Sequence, residues 1–477
     1  MIRKAEIIQN IDASFLWYFT AINLVYLLVM ILGSFKALKR KKELYFEDYT
    51  NILQSNTLPE LSFIVPAYNE AKNILENIDN LLNLYYPNKK IIIINDGSTD
   101  HTLDLLHKKL TLHPVSKFYD DAISTQQIRK VFISKNNPEC LVIDKVNGGG
   151  KFDALNAGIN ACQSPFYVAI DADTIIDDKA FLSLLRPLFS DPNIIAIGAS
   201  VKIRNGCQLD HNQISTSTFP KNILPVMETM EYLRSFLERQ GWDYVGGNFV
   251  LAGAFGIFRA EEIIKVGGYA NTVAEDMEII IRLHRVMKER KMSYRIKYLP
   301  DPVAWTIAPE KIRALSRQRA KWHRGLLDCL YFHKKAFLNP KYGIFGTFVY
   351  PFWIWGEAIE PIIELLGMIY IITGFFLGIV HIHFVLLFVI VTWGFTTIFT
   401  AHCILVEEFF FQKYPSIRSM IYLIILNAFE NLGYRQMNVF WRLRGCLQFI
   451  TNFSSVRSIT KQVDRMVKKG TKNVYHD

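Results

Sequence analysis

The residues best suited to chemistry begin with Asp171-Ala172-Asp173, which follows the apolar run Phe166–Ile170. Alternate residues at a strand end point the same way, so both carboxylates share one face. Two such charges stay ionised most readily beside a cation, and hard oxygen donors suit Mg2+ or Mn2+ carrying a diphosphate. By itself the triplet reads more often as an Asp-rich turn; the strand before it and Thr174 after it add weight. Asn147-Gly148-Gly149-Gly150-Lys151 opens a helical pattern over Phe152–Ala161. Its glycines allow close backbone approach and Lys151 offers a point charge to an anion, although a flexible loop is an equal reading. It is not a Walker loop: no Ser or Thr follows Lys151, and position 145 is Lys. Ala274-Glu275-Asp276 precedes the periodic stretch Met277, Ile280, Ile281, His284. Acids in a first helical turn favour the macrodipole, and one could equally take a proton from an attacking alcohol. Gln318, Trp322 and Gly325 form one stripe of a helix expected over Lys311–Phe332, with Arg319, Lys321 and Arg324 adding positive charge. An indole beside hydrogen-bonding groups suits a sugar, though an interfacial helix with a Trp anchor fits that segment as well. His381 and His383 lack a nearby third ligand and read as a loop pair.

These groups need a scaffold, and the chain supplies one. Leu61–Val65 ends at Pro66, a helical pattern runs from Glu70 to Leu84, and Ile91–Ile94 stops at Asn95-Asp96-Gly97. Strands alternating with helices of this length predict an α/β domain with a mostly parallel sheet, whose ligands bind beyond the carboxyl ends of the strands. Asn69-Glu70, Asn95-Asp96-Gly97-Ser98 and Asp171-Ala172-Asp173 all lie at such ends.

The chain of 477 residues is 50% apolar and 21% charged, too apolar for an ordinary soluble enzyme and unlike a disordered chain. Six scattered cysteines without a Cys-x-x-Cys pair argue against a disulfide framework or a zinc site. Phe15–Phe35 is an uncharged run, long enough to cross the ~30 Å hydrocarbon core. Lys36, Lys39, Arg40, Lys41 and Lys42 follow it, predicting an uncleaved anchor with the rest of the chain in the cytoplasm. Phe384–Val406 and Pro361–Val380 are expected to span, with Ile344–Trp355 and Ile421–Phe429 in the interface; two or four crossings after the soluble part both fit the basic end. Net charge is +10, and clusters beside apolar segments suggest lipid head groups rather than nucleic acid, for which no recognition motif is present. The expected units are an anchor with basic flank over 1–42, a catalytic domain over 58–335, transmembrane and interfacial helices over 342–432 and a basic cytoplasmic tail over 433–477.

The order of motifs is specific. Pro66-Ala67-Tyr68-Asn69-Glu70, Asn95-Asp96-Gly97-Ser98-Thr99-Asp100, Gly149-Gly150-Lys151 with Ala154-Leu155-Asn156, Asp171-Ala172-Asp173, Glu275-Asp276 and Gln318-Arg319-x-Lys321-Trp322 together resemble the membrane-embedded processive family 2 glycosyltransferases. These include cellulose, hyaluronan, chitin-oligosaccharide and poly-N-acetylglucosamine synthases. Gly433-Tyr434-Arg435-Gln436 and Trp441-Arg442-Leu443 look like the ends of bacterial poly-N-acetylglucosamine-synthase-like members. The resemblance implies a GT-A-like, Rossmann-like domain inserted between membrane and interfacial helices. It implies that Asp96, Gly97 and the loop Ala67, Tyr68, Asn69 and Glu70 hold the uridine, with Asp171, Lys151 and Arg319 near the nucleotide. Asp173 would ligate the divalent metal and Asp276 would be the general base. Glu275, Gln318, Lys321 and Trp322 would frame the acceptor. Lys321 stands where the family usually has Arg, giving a point charge without a bidentate fork, and Ala274 where it usually has Thr.

The resemblance further implies a multi-pass protein of the cell membrane. It would polymerise a β-linked polysaccharide from a UDP-sugar donor, UDP-N-acetylglucosamine favoured, onto a growing polysaccharide, and pass it through the bilayer, with export subunits as candidate partners. Competing expectations are transfer of one sugar to a lipid carrier, a catalytically silent scaffold or export subunit, and a proton-relay transporter, for which the intramembrane charges are few.

Overall fold

The computed structural model describes residues 2–45, 58–116, 118–210, 213–216, 220–411 and 417–472. The strands are β1 (Leu61–Ala67), β2 (Lys89–Asn95), β3 (Leu112–Val115), β4 (Ile128–Ser134), β5 (Cys140–Lys145) and β6 (Phe166–Ile170). They continue with β7 (Ile175–Ile176), β8 (Ile194–Ile203), β9 (Gln208–Asp210), β10 (Gln213–Thr216), β11 (Phe255–Arg259) and β12 (Arg295–Thr306). Ten of them form one sheet in the order β3-β4-β5-β2-β1-β6-β11-β8-β12-β7, while β9 and β10 pair as a separate ribbon. Strands β3, β5, β2, β1, β6, β8 and β12 run one way, and β4, β11 and β7 run the other. This is the mostly parallel α/β sheet that the sequence predicts, and the alternation of β-branched runs with amphipathic helices accounts for it. Helices cover both faces, so strands are apolar without alternation: every residue of β8 is buried.

The helix Ile74–Asn83 shows how the sheet positions the site. Ile74, Ile78 and Leu81 are buried on one face, and so are Asn77 and Asn80. Buried amides need partners, and both Nδ2 groups find backbone ones, while Asn77 Oδ1 is left without a partner. Asn77 Nδ2 donates to the Thr174 carbonyl at 2.6 Å and to that of Asp171 at 3.2 Å. Asn80 donates to the Ile176 carbonyl at 3.0 Å and accepts from its N–H at 2.8 Å. The turn holding Asp171 and Asp173 is thereby pinned.

Among the described residues two helices are long and apolar enough to cross a membrane, Glu6–Glu43 and Ile382–Phe410. Phe345–Ala358 and Glu360–Phe376 meet that criterion only jointly, bent by 41°. The expected span Pro361–Val380 therefore does not stand alone, since its helix ends at Phe376. Two expectations about basic residues change. Lys36 pairs with Asp243 and donates to the Tyr298 carbonyl at 2.7 Å. Arg40 is buried, with Nε 3.0 Å from Asp301 Oδ2 and NH2 2.8 Å from the Ser183 carbonyl. These two cations tie the helix Ile2–Tyr45 to the sheet domain rather than reaching lipid head groups, while Lys39, Lys41 and Lys42 stay exposed. Within the expected basic tail, residues 434–472 form two helices, Tyr434–Thr451 and Phe453–Lys472; 473–477 lie outside the described residues. The first helix lies so close to Ile312–Phe332 that a Cβ on Gly445 would meet the Ala320 carbonyl at 2.7 Å. The second buries Val456 and Val463 against Ala270 and Phe332.

Candidate active site

The loops after β1 and β2 interlock. Asn69 adopts a left-handed backbone (φ 57°), and its Oδ1 accepts from the Thr99 N–H at 2.8 Å. Ser98 Oγ accepts from the Asn69 N–H at 3.0 Å, and Asp100 Oδ2 from that of Ala71 at 3.1 Å. Gly97 has φ +67°, and a Cβ there would lie 2.8 Å from the Asn147 nitrogen, so glycine is required on both counts. Asn69 and Gly97 thus shape the loops, whereas Ala67, Tyr68, Glu70 and Asp96 line the cavity itself.

Asp96 is held by a residue that sequence reasoning missed. The Lys145 side chain is fully buried, with Nζ 2.5 Å from Asp96 Oδ1 and 2.5 Å from Asp153 Oδ2. The Gly148 N–H adds a bond to Asp96 Oδ1 at 3.1 Å. Lys151 Nζ pairs with Asp171 Oδ1 and donates to the Gly253 carbonyl at 2.7 Å. Burial opposes the Lys151 charge, but Asp171, Glu275 and Asp276 outweigh it and raise its pKa, so the ammonium persists.

The carboxylates converge. Asp171, Asp173, Glu275 and Asp276 border one cavity of about 1060 Å³ with Lys151, Gln318, Arg319, Lys321 and Trp322. Burial, with Asp171 and Glu70 adding repulsion, pushes Asp173 up to about 6. Burial also lifts Glu275 to about 7; Lys151 partly offsets it and Asp276 adds to it. Asp276 abuts Gly253, where a Cβ would sit 3.1 Å from Asp276 Oδ2. Among the described residues no cluster of three or more His, Cys, Asp or Glu could cage a metal. The donor set fits a cation that arrives with a diphosphate, because Mg2+ keeps waters and needs only one or two carboxylates. Burial first, and then repulsion from Asp171 and Glu70, disfavour the Asp173 charge, and a cation there would offset both.

Arg319 sits differently from a free phosphate clamp. Its guanidinium pairs with Glu231, lies 3.5 Å from Glu228 Oε1 and stacks on Trp322 with Cζ 4.6 Å from the ring centroid. Both glutamates lie on Ile223–Tyr244, a helix that carried no sequence signal of function. Burial raises both carboxyls and Arg319 opposes the rise. Gln318 Oε1 is buried without a hydrogen-bond partner and borders the cavity.

The family model for Glycosyl transferase family 2 matches residues 62–262, and that for Glycosyl transferase family group 2 matches residues 167–406. The chain belongs to the family 2 glycosyltransferases. It is an enzyme of glycosyl transfer, and the family 2 matches take in every motif from β1 to Trp322. Relatives include a poly-β-1,6-N-acetyl-D-glucosamine synthase of Staphylococcus aureus (strain COL), 28% identical over 270 residues, 56% of this chain and 55% of that one. A protein of the same name from Staphylococcus epidermidis is 27% identical over 267 residues, 56% of this chain and 54% of its own. The matches thus span about half the length of these curated relatives. Among solved structures, a mannosyltransferase from Pyrobaculum calidifontis in complex with GDP-Man and Mn2+ aligns at TM-score 0.47 and 15% identity, covering 91% of this chain and 99% of that one. Staphylococcus aureus TarS aligns at TM-score 0.34 and 18% identity, covering 55% of this chain and 39% of that one.

Proposed function

We propose that this glycosyltransferase polymerises a β-linked polysaccharide from a UDP-sugar, with UDP-N-acetylglucosamine favoured, and passes the chain across a bilayer. The observation that carries the proposal is the continuity of the cavity. It runs from Asp171 and Asp173 past Asp276 and Trp322 to Phe19, Tyr26, Trp353, Phe395 and Arg435, residues of the helices that follow or precede the domain. A hydrophilic chain leaving through lipid needs such a protein-lined route. The name of the staphylococcal relatives supports N-acetylglucosamine as the unit.

In this reading the loop Ala67–Glu70 and Asp96 hold the nucleoside. Asp173, with Asp171 beside it, would hold a divalent cation, which when bound neutralises diphosphate charge. As the anomeric bond breaks, negative charge builds on the leaving diphosphate, and the Lys151 ammonium faces it. Asp276 accepts the proton of the attacking hydroxyl from the opposite side, which inverts the anomeric centre. Trp322 and Gln318, which line the cavity, orient the acceptor sugar. Holding both sugars in line contributes ~7–11 kcal/mol to lowering the barrier. The catalytic domain then lies in the cytoplasm and the chain crosses the membrane more than once.

The test uses the chain purified in detergent with radiolabelled UDP-N-acetylglucosamine, other UDP-sugars in parallel, and Mg2+ or Mn2+. A long product cleaved by a β-N-acetylglucosaminidase is expected. Products limited to single sugars on lipid would replace polymerisation with lipid-carrier transfer.

A further inference from the structure

The Ala154-Leu155-Asn156 motif has no part in the chemistry above, yet Asn156 is buried and doubly bonded. Its Nδ2 donates to the Tyr269 carbonyl at 2.9 Å, and its Oδ1 accepts from the Tyr269 N–H at 2.7 Å. Reciprocal bonds to one residue fix the amide's orientation and hold the backbone as a strand partner would. One turn on, Asn160 grips Ile123 in the same way, at 2.7 Å to its carbonyl and 3.0 Å from its N–H.

Tyr269 belongs to the segment that leads from Val266 into Glu275 and Asp276. That segment is gripped from its other side by Arg282, whose NH1 donates to the Val266 carbonyl at 2.7 Å and NH2 to that of Gly268 at 2.6 Å. Arg282 lies on Glu275–Glu289, the helix of Asp276, and Asn156 on Lys151–Asn160, the helix that Lys151 opens. Gly268 makes the approach possible: at φ +72° a Cβ would lie 2.4 Å from Asn156 Oδ1. The Tyr269 hydroxyl is tied in turn to that of Tyr167, on β6, at 3.0 Å.

We infer that Asn156 is a positioning residue that sets the separation between Lys151 and Asp276, through its double bond to Tyr269. The inference rests on the reaction proposed above for what that separation achieves. A group misplaced by ~1 Å costs about 100-fold in rate. Nucleoside contacts, made by the β1 and β2 loops, do not pass through Asn156.

The experiment compares parent, Asn156→Ala and Gly268→Ala, as full-length chains in detergent. The two variants disturb the same contact from opposite partners, so one misfolded variant does not decide the matter. Hydrogen exchange of residues 266–276 is read without donor, and kcat and KM with UDP-N-acetylglucosamine and Mn2+. Both variants should exchange faster in 266–276 while β1 and β2 keep parental rates. The kcat should fall about tenfold or more with donor KM within about threefold. Parental exchange in 266–276, or a donor KM change with kcat intact, would overturn the assignment. Faster exchange spread equally through β1 and β2 would make Asn156 a general packing residue and overturn it too. A parent that turns over no sugar nucleotide counts against the proposed function, and exchange then decides the role of Asn156 on its own.

Discussion

Lys145→Met is the most revealing single perturbation of the nucleotide end. The ammonium lies 2.5 Å from each of two buried carboxylates, Asp96 and Asp153, and 2.6 Å from the Val146 carbonyl. Methionine preserves the side chain's length and removes its charge. Breaking a buried ion pair from one side costs ~3–5 kcal/mol, because the partner is left uncompensated. Here two partners are left, but each keeps another donor. Asp96 retains the Gly148 N–H at 3.1 Å, and Asp153 that of Gln126 at 3.2 Å. The lower end, ~3 kcal/mol, is therefore expected, a factor of about 100 in the folding equilibrium. Asp96, released from Lys145, should also rotate, weakening UDP binding by about tenfold or more. The assays are thermal melting in detergent and calorimetric UDP titration. Adding Asp153→Asn removes one of the two stranded charges and should recover part of the stability lost. A Lys145→Met protein that melts with the parent would refute the electrostatic argument. One that melts early yet binds UDP normally would sever Lys145 from the nucleotide site.

Metal affinity should depend on pH. Burial and Asp171 hold Asp173 near 6, above the ordinary ~3.9 of an unfolded Asp. Below about 6 the carboxyl carries a proton that a cation must displace, so Mn2+ affinity rises from pH 5 to 7 and then levels off. A flat titration in the parent would contradict this, and Asp173→Asn should abolish the slope. By the same sign, the metal-free protein loses stability as pH rises between the two values, since the folded form binds the proton more tightly. Arg319→Ala should act first on stability: it leaves Glu228 and Glu231 without their shared cation, at a cost of ~3–5 kcal/mol. Unchanged melting with lower turnover would instead make Arg319 a substrate contact. Asp301→Asn should loosen the helix Ile2–Tyr45 from the sheet domain, because Arg40 keeps Glu43, on its own helix, but loses the buried carboxylate across the contact. Hydrogen exchange of residues 36–43 that becomes no faster would argue against that tie.

What could be read from the residues divides by range. The strand ends were legible because Pro66, Asn95-Asp96-Gly97 and Asp171 punctuate apolar runs, and the fold places ligands there. The helix Ile312–Phe332 was legible to within one residue from its periodic stripe. Pairings across the chain were not. Arg319 and Glu231 stand 88 residues apart, and Arg40 and Asp301 stand 261 apart, so no local pattern announces either. Among the basic residues after Phe35, the inward turn of Lys36 and Arg40 could not be read, because charge composition carries no direction. Lys145 was passed over as the residue that disqualified a Walker loop. Asn77 and Asn80 left one usable trace: amides on the apolar face of an amphipathic helix must be satisfied inside, and the nearest backbone was the Asp171 turn.

Donor binding and UDP release, measured together on the parent and Asp276→Asn, test the account most directly. With UDP-N-acetylglucosamine and Mn2+, the variant should bind donor like the parent while releasing UDP ~100- to 10,000-fold more slowly, the range for a lost general base. Equal release rates would remove Asp276 from the chemistry and, with it, the convergence of carboxylates on which the account stands.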